Sequence, residues 1–300
     1  MITRRTLLAS GAIFAAIPSV AQPKEGPFRA GLQWAGQALT PENSPWMQAF
    51  TEELERLGYV GGKNLEFETR TAGGDTKRLP DLAAELLALR PDVILVSTTA
   101  SLMALANQHA TVPVVFTIGV DPIGLGIVQS LAHPGGYFTG LFNNAGDVLP
   151  RSLQMLRDLL PQARRVGSLI DPSFGPKITA EFLEHMNAAA DRLGFEFKAI
   201  EVTSPEQLPS VFDQLEKFKA EAFFLGTGGP LSNQHRQEII ELLRAHRLPS
   251  IHAFRVDAAA GGLMSYGSDM DGLFRTGAVY VDKIFRGANP ADLPVGRQLN

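Results

Sequence analysis

Five short clusters carry residues able to grip a small polar molecule. Ser97-Thr98-Thr99 follows the apolar run 93–96 and precedes a helical stretch. Hydroxyls and unpaired N–H groups at a helix start suit a carboxylate. The same residues equally serve as a plain cap, with Thr99 or Ser101 closing its own helix. Asp121-Pro122 stands after the run 114–118, and Asp171-Pro172 after the run 166–170. Each reads as a capping carboxylate ahead of proline, and a capping carboxylate can still face an ammonium. Thr227-Gly228-Gly229 follows the run 222–225, where glycine lets backbone approach a ligand or simply makes a tight turn. In Ser265-Tyr266-Gly267-Ser268-Asp269, either Ser268 or Asp269 should cap the last helix and leave Tyr266 near the same mouth. Gln33, Trp34, Phe174 and Phe254 also stand at ends of predicted strands. Aromatic walls with a few polar groups describe a pocket for a small amphipathic molecule, and core packing is the alternative for each ring.

Signatures of catalysis fail. Gly124-Leu125-Gly126 meets Gln129 where a dinucleotide fingerprint needs its third glycine, and neither a phosphate loop nor a Gly-x-Ser-x-Gly elbow is present. The six histidines are scattered without metal-ligand spacing, and Asp269-Met270-Asp271 suits a helix start better than a metal. No catalytic residue, metal or cofactor is expected.

These clusters need elements that bring them together. From Phe28 onward short β-like runs alternate with helical ones. Ser44-Pro45 is a cap with proline at the first helical position, and Met47, Phe50, Leu54 and Leu57 follow at helical spacing up to Gly58. Leu79, Leu82, Leu86 and Leu89 mark a second helix, and the unbroken apolar run 93–96 marks a strand covered on both faces. A helix over 101–110, the strand 114–118 and a helix opened by Asp121-Pro122 complete the first half. The second half repeats the order, with strands at 166–170, 195–202, 222–225 and 249–253 and helices at 176–193, 204–217 and up to His246. Gly58 and Gly194, and Pro113 and Pro249, share the same offset of 136 residues.

Strand–helix alternation requires parallel sheets with right-handed crossovers, and ligands of such sheets bind at the carboxyl ends of strands. Two such lobes facing each other would share a cleft. The hinge is expected at 140–144 and near 252–257, giving a first lobe of 28–143 plus 255–300 and a second of 144–254. The final helix, 269–286, returns to the first lobe.

The start of the chain supplies an address. Arg4 and Arg5 precede an apolar run broken by Pro18, and Ser19-Val20-Ala21 ends in small residues. This is the pattern of a secretory signal peptide over 1–21. Thr3-Arg4-Arg5-Thr6-Leu7-Leu8 partly resembles a twin-arginine export motif, with Ala9 where lysine is common; a general secretory route stays open. The apolar run is shorter than the ~20 residues of a membrane span. With no cysteine there is no disulfide, thiol nucleophile or lipid-attachment site, so an unanchored periplasmic protein is expected. The formal charge of −4 becomes −6 on cleavage after Ala21, and no basic block exists, which argues against nucleic acid as a partner. A monomer is expected.

The segments "LERLGYVGGKNLEFETRTAGGDTKRLPDLAAELLALRPDVILV", "VPVVFTIGVDPIGLGIVQSLAHPGG" and "AGGLMSYGSDMDGLFRTGAVYVDKIFRGANPADLPV" resemble the ABC transporter substrate-binding protein family that includes tryptophan- and tyrosine-associated members. The resemblance covers nearly all of the chain after the signal. It implies an α/β fold of two doubly wound parallel-sheet lobes joined by a hinge, periplasmic-binding-protein type I. It also implies a small-molecule solute and an inner-membrane ABC permease as partners. Carried over residue by residue, Thr99 matches the family's helix-opening hydroxyl, Asp121-Pro122 its Asp-Pro, and Tyr266-Gly267 its Ser-Tyr-Gly; Asp171-Pro172 stands where the family has Asn-Pro. Ala100, Tyr137 and Gly229 depart from proline, asparagine and aspartate, and the last change removes a partner for a solute ammonium. The family pattern continues past Pro294-Val295 with a strand and short helix, so part of the first lobe is expected to be incomplete. The resemblance implies an amino acid, an aromatic one included, or a related carboxylate as solute; the strand-end residues and those carried over together make the expected binding set Gln33, Trp34, Ser97, Thr98, Thr99, Asp121, Asp171, Phe174, Thr227, Gly228, Phe254 and Tyr266. The alternative is a sensing module that presents its closed form to a kinase or receptor; an exported enzyme on the same fold is a third reading.

Overall fold

A computed structural model describes residues 26–143, 145–172, 176–226 and 230–297. The expected signal segment lies outside them.

Eleven strands and ten α-helices alternate along the described chain. The first group is β1 (Phe28–Trp34), α1 (Pro45–Arg56), β2 (Leu65–Thr71), α2 (Leu79–Ala88), β3 (Val93–Val96), α3 (Thr99–Asn107), β4 (Val114–Ile118) and β5 (Phe138–Phe142). The second is α4 (Ala145–Leu159), β6 (Arg165–Ile170), α5 (Pro176–Arg192), β7 (Glu196–Glu201), α6 (Leu208–Phe218), β8 (Ala222–Leu225), α7 (Pro230–Gln234), α8 (Arg236–Ala245), β9 (Ser250–His252), α9 (Arg255–Ala259) and β10 (Met264–Ser265). The chain ends with α10 (Met270–Phe285) and β11 (Gly296–Arg297).

Two sheets result, ordered β11-β5-β4-β3-β1-β2 and β10-β9-β8-β6-β7, and every pairing between named strands is parallel. The internal repeat thus becomes topology. In each half the first strand lies between the second and the third, and the next two extend the same edge. Parallel strands need helical crossovers, so both faces of each sheet are covered. Ala83, Leu86, Ile94, Val96 and Phe116 fill one face of the first sheet, and Leu32, Trp34, Phe50, Phe274 and Val281 fill the other. In the second sheet Phe212, Leu215, Phe223 and Ile240 oppose Leu153, Met186, Phe224 and Ile251 across the strands.

Local chemistry sets the element ends. The Ser44 side chain accepts from Met47 N at 3.3 Å, with Pro45 opening α1. Asp269 accepts from Gly272 N at 3.0 Å and starts α10. Gly140 lies inside β5 with φ +148°, and a Cβ there would stand 2.5 Å from Phe116 N and closer still to its carbonyl oxygen. Only glycine lets β5 approach β4 this closely.

Four expectations change. No helix opens at Asp121-Pro122. Asp121 Oδ1 instead accepts from Ile123 N at 2.9 Å, and Gly126, with φ +71°, ends the turn that follows. Helix α4, which has Pro150 inside it, was not among the expected elements. The last helix of the second half is divided at His235 into α7 and α8. The chain was expected to return to the first lobe at 255. Instead α9 packs beside β9 and β10, and Met264 and Ser265 pair with Ile251 and His252, which keeps it on the second sheet through Ser265. The short β11 pairs with β5 and closes the edge of the first sheet.

Candidate solute site

A doubly wound sheet has its crevice where strand order reverses, outside the carboxyl ends. In the first sheet this point lies between β1 and β3, and in the second between β6 and β8. Residues 97–99 leave β3 at the first crevice. Residues 171–172 leave β6 at the second, and residue 226 leaves β8 there.

At the first crevice the hydroxyls divide their work. Thr98 is the helix cap, in place of the expected Thr99 or Ser101. It is extended, its Oγ1 accepts from Ser101 N at 3.2 Å, and it donates to Ser101 Oγ at 3.0 Å. Ser97 and Thr99 are partly exposed, and among the described residues their hydroxyls have no hydrogen-bond partner. Their hydroxyls are thus not engaged in the fold, whereas that of Thr98 holds the helix. Removing the Thr98 cap by Thr98→Val should cost about 1 kcal/mol of stability. Ser97→Ala should leave the melting temperature within about 1 °C, a change of a few tenths of a kcal/mol. Thermal unfolding of both variants checks this division.

Gln33 and Trp34 lie beneath the mouth rather than at it. Trp34 is 2% exposed and shares its face of β1 with Ala30 and Leu32, so it is a core residue. Gln33 is fully buried on the other face, where its Nε2 donates to Leu79 O at 3.0 Å. Asp121 is exposed and held in its own turn. Asp171 is 5% exposed, and its Oδ2 accepts from Leu231 N at 3.0 Å, so the carboxylate caps the first turn of α7. Phe174, Thr227 and Gly228 lie outside the described residues. Phe254 is partly buried and meets Trp46 at 5.3 Å between ring centroids. Tyr266 is partly buried against the cluster of Met186, Phe224 and Ile251.

Of the expected set, the structure thus brings Ser97, Thr98 and Thr99 to the first crevice and Asp171 to the second. A sequence model of ABC transporter substrate binding proteins matches residues 42–300. The chain belongs to the ABC transporter substrate-binding protein family. A tyrosine-binding protein of Clostridioides difficile (strain R20291) is 22% identical over 250 residues, which cover 83% of this chain and 70% of that protein. A conserved domain protein of Vibrio cholerae has a similar structure, with a TM-score of 0.76 at 22% identity over 91% of this chain and 90% of the other. The structure of a Streptococcus pneumonia ABC domain in complex with L-Trp has a TM-score of 0.72 at 20% identity over 91% and 90%. Such likenesses show the fold: the two parallel sheets are those of periplasmic binding proteins.

The chain passes from the first sheet to the second after β5 and returns ahead of α10. Asn143 follows β5, and its Nδ2 donates to Ser268 Oγ just ahead of α10, tying one crossing to the other. Next to them Tyr266 N donates to His252 O at 3.0 Å, and Ser152 Oγ donates to Tyr266 O at 3.1 Å. Sequence reasoning missed Asn143 and Ser268 as a pair, since their contact spans 125 residues.

It also missed a buried polar cluster beside this crossing. His252 Nε2 lies 2.9 Å from Ser250 Oγ, and its Nδ1 lies 3.8 Å from Asp257 Oδ2. Asp257 Oδ1 accepts from Arg236 Nε at 2.6 Å. Serine, histidine and aspartate thus converge as in a nucleophilic site. Ser250, His252 and Asp257 are 2%, 0% and 3% exposed, however, so a substrate carbonyl has no approach. Burial pushes the His252 pKa below its ordinary value; Asp257 opposes this and Arg236 adds to it. Among the described residues no group of three acidic, histidine or cysteine side chains could hold a metal. No described helix is long and apolar enough to cross a membrane.

Proposed function

We propose that this substrate-binding protein is the periplasmic component of an ABC importer. It takes a small amphipathic solute, an aromatic amino acid or related aromatic carboxylate, between two lobes and delivers it to an inner-membrane permease. The observation that carries the reading is a strand-order reversal in each of the two sheets, with Ser97, Thr99 and the start of α3 at the first. Hydroxyls and N–H groups at a helix start favour a carboxylate head. The aromatic body follows from Trp46 and Phe254, and it agrees with the tyrosine and tryptophan named for two relatives. Asp171 is already engaged by Leu231 N, so the solute ammonium gains less from it than the sequence suggests. Closure about the Asn143–Ser268 crossing encloses the solute and forms the surface that the permease reads. The ligand drives closure only by its differential affinity for the closed state.

A thermal-shift panel on the chain from Gln22 onward tests this reading. L-Tyrosine or L-tryptophan at a hundred times its Kd should stabilise the protein by about 2.7 kcal/mol, a shift of several degrees. Stabilisation by sugars or polyols alone would show that the solute class is wrong. No shift with any small solute would remove the binding reading itself.

A further inference from the structure

We propose that Trp46 selects the solute, and that with Phe254 it forms the wall against which the flat apolar body of an aromatic solute packs. This rests on the solute-binding reading above and names the residue that decides the class.

The argument starts from the two tryptophans of the chain. Trp34 belongs to the core and faces the helices. Trp46 is in the first turn of α1, just after the segment that leaves the carboxyl end of β1. It therefore stands at the same edge of the sheet as Ser97 and Thr99. Its indole is backed by Phe274 of α10, at 6.2 Å and 35° between rings, and Phe274 is fully buried. A side chain supported in this way has few rotamers left to lose on binding a solute.

The indole also meets Phe254, at 5.3 Å and 54°. Phe254 opens α9, and α9 packs beside β9 and β10, so this ring comes from the second sheet. The two rings thus bridge the sheets beside the crevice, and both are only partly buried. Polar groups at the end of β3 and two rings from opposite sheets give a polar end and an apolar wall. A planar aromatic body gains from both rings through stacking or edge contacts, which an aliphatic side chain lacks.

A ring pair that only clasped the lobes together would act differently. It would set the fraction of closed protein, and its loss would weaken every solute by one factor. A wall discriminates among solutes.

The experiment is titration calorimetry of the wild-type chain, Trp46→Ala and Trp46→Phe with L-tryptophan, L-tyrosine, benzoate, L-leucine and L-methionine. Tryptophan emission and acrylamide quenching are followed in parallel. Trp46→Ala should weaken the aromatic solutes at least about tenfold, and Trp46→Phe should restore most of that. Any aliphatic binding should change less than about threefold. Saturating aromatic solute should shield the wild-type emission from acrylamide, and this shielding should vanish in Trp46→Phe, where Trp34 alone emits. Equal weakening of aromatic and aliphatic solutes would overturn the proposal in favour of a clasp. Wild-type affinity in Trp46→Ala would overturn it outright. A wild-type chain that binds only aliphatic solutes would overturn the wall and leave the solute-binding reading standing; a chain that binds no small solute would remove both.

Discussion

Gly267→Ala should lower the melting temperature by roughly 2–12 °C and weaken solute binding. Gly267 follows Tyr266 and precedes the cap of α10, at the second crossing between the sheets. A Cβ at this position would stand 2.8 Å from the carbonyl carbon of Ala253, closer still to its oxygen, and 3.2 Å from its Cα. All three atoms are backbone, so no rotamer change relieves the overlap. Ala253 cannot retreat freely, because its N–H donates to Leu225 O at 2.8 Å and so joins β8 to the exit of β9. The neighbouring Tyr266 is held by His252 O and by Ser152. One of the two exits must therefore shift, and overpacking of this kind costs about 1–3 kcal/mol. The shift would carry Ser268 away from Asn143 and loosen the tie between the crossings. Scanning calorimetry with and without solute reads both effects. A melting temperature within about 1 °C of wild type would mean that the exits are not held as described.

How much of this was readable beforehand depended on the range of each interaction. The central strand β3 was legible because four consecutive apolar residues leave no face for water, and Val93 to Val96 are indeed buried. The limits of α10 were legible because Asp269 caps it through a local bond to Gly272 N. The two-sheet fold followed from the alternation of strands and helices, and the family resemblance from the three quoted segments. What failed was non-local. Strand β10 has two residues, and only its pairing with Ile251 and His252 assigns it to the second sheet. Helix α4 forms although Pro150 lies inside it, because Leu153 and Leu156 bury fully against the second sheet.

The candidate site shows the same limit. Trp34 was assigned to the mouth from its place at the end of β1, yet its parity with Ala30 and Leu32 already pointed inward. Trp46 stands one turn ahead of Phe50 in α1 and was not singled out. That it reaches a ring of the other sheet depends on where the loop over 35–44 sets the start of the helix. The role of Thr98 turned on one residue: the cap is the last extended position before the helix, which spacing alone does not resolve.

Acidification from pH 7.5 to pH 5 should destabilise the wild-type chain more than a His252→Gln variant. His252 is fully buried in a site that keeps it neutral. Ser250 Oγ faces Nε2, Asp257 faces Nδ1 from 3.8 Å, and Arg236 already neutralises Asp257 at 2.6 Å. The carboxylate is thus too engaged to hold an imidazolium, and burial sets the direction: the folded pKa lies below the ordinary value of 6.5. An unfolded chain titrates this histidine near 6.5. Between the folded and unfolded values the unfolded state binds more protons, so stability rises with pH in that window. The contribution of His252 is therefore complete above about pH 6.5 and is lost as pH falls through the folded value. Glutamine keeps a polar partner for Ser250 without a proton to take up, so its own stability should be lower at pH 7.5 and flatter towards pH 5. Parallel slopes of melting temperature against pH for the two proteins would assign the acid sensitivity to other groups. The effect should extend to binding, because the His252 carbonyl accepts from Tyr266 N at the second crossing. A charge forced into this cluster strains the strand exit about which the lobes close. Solute affinity in the wild type should then fall over the same pH window as stability, and in His252→Gln it should not.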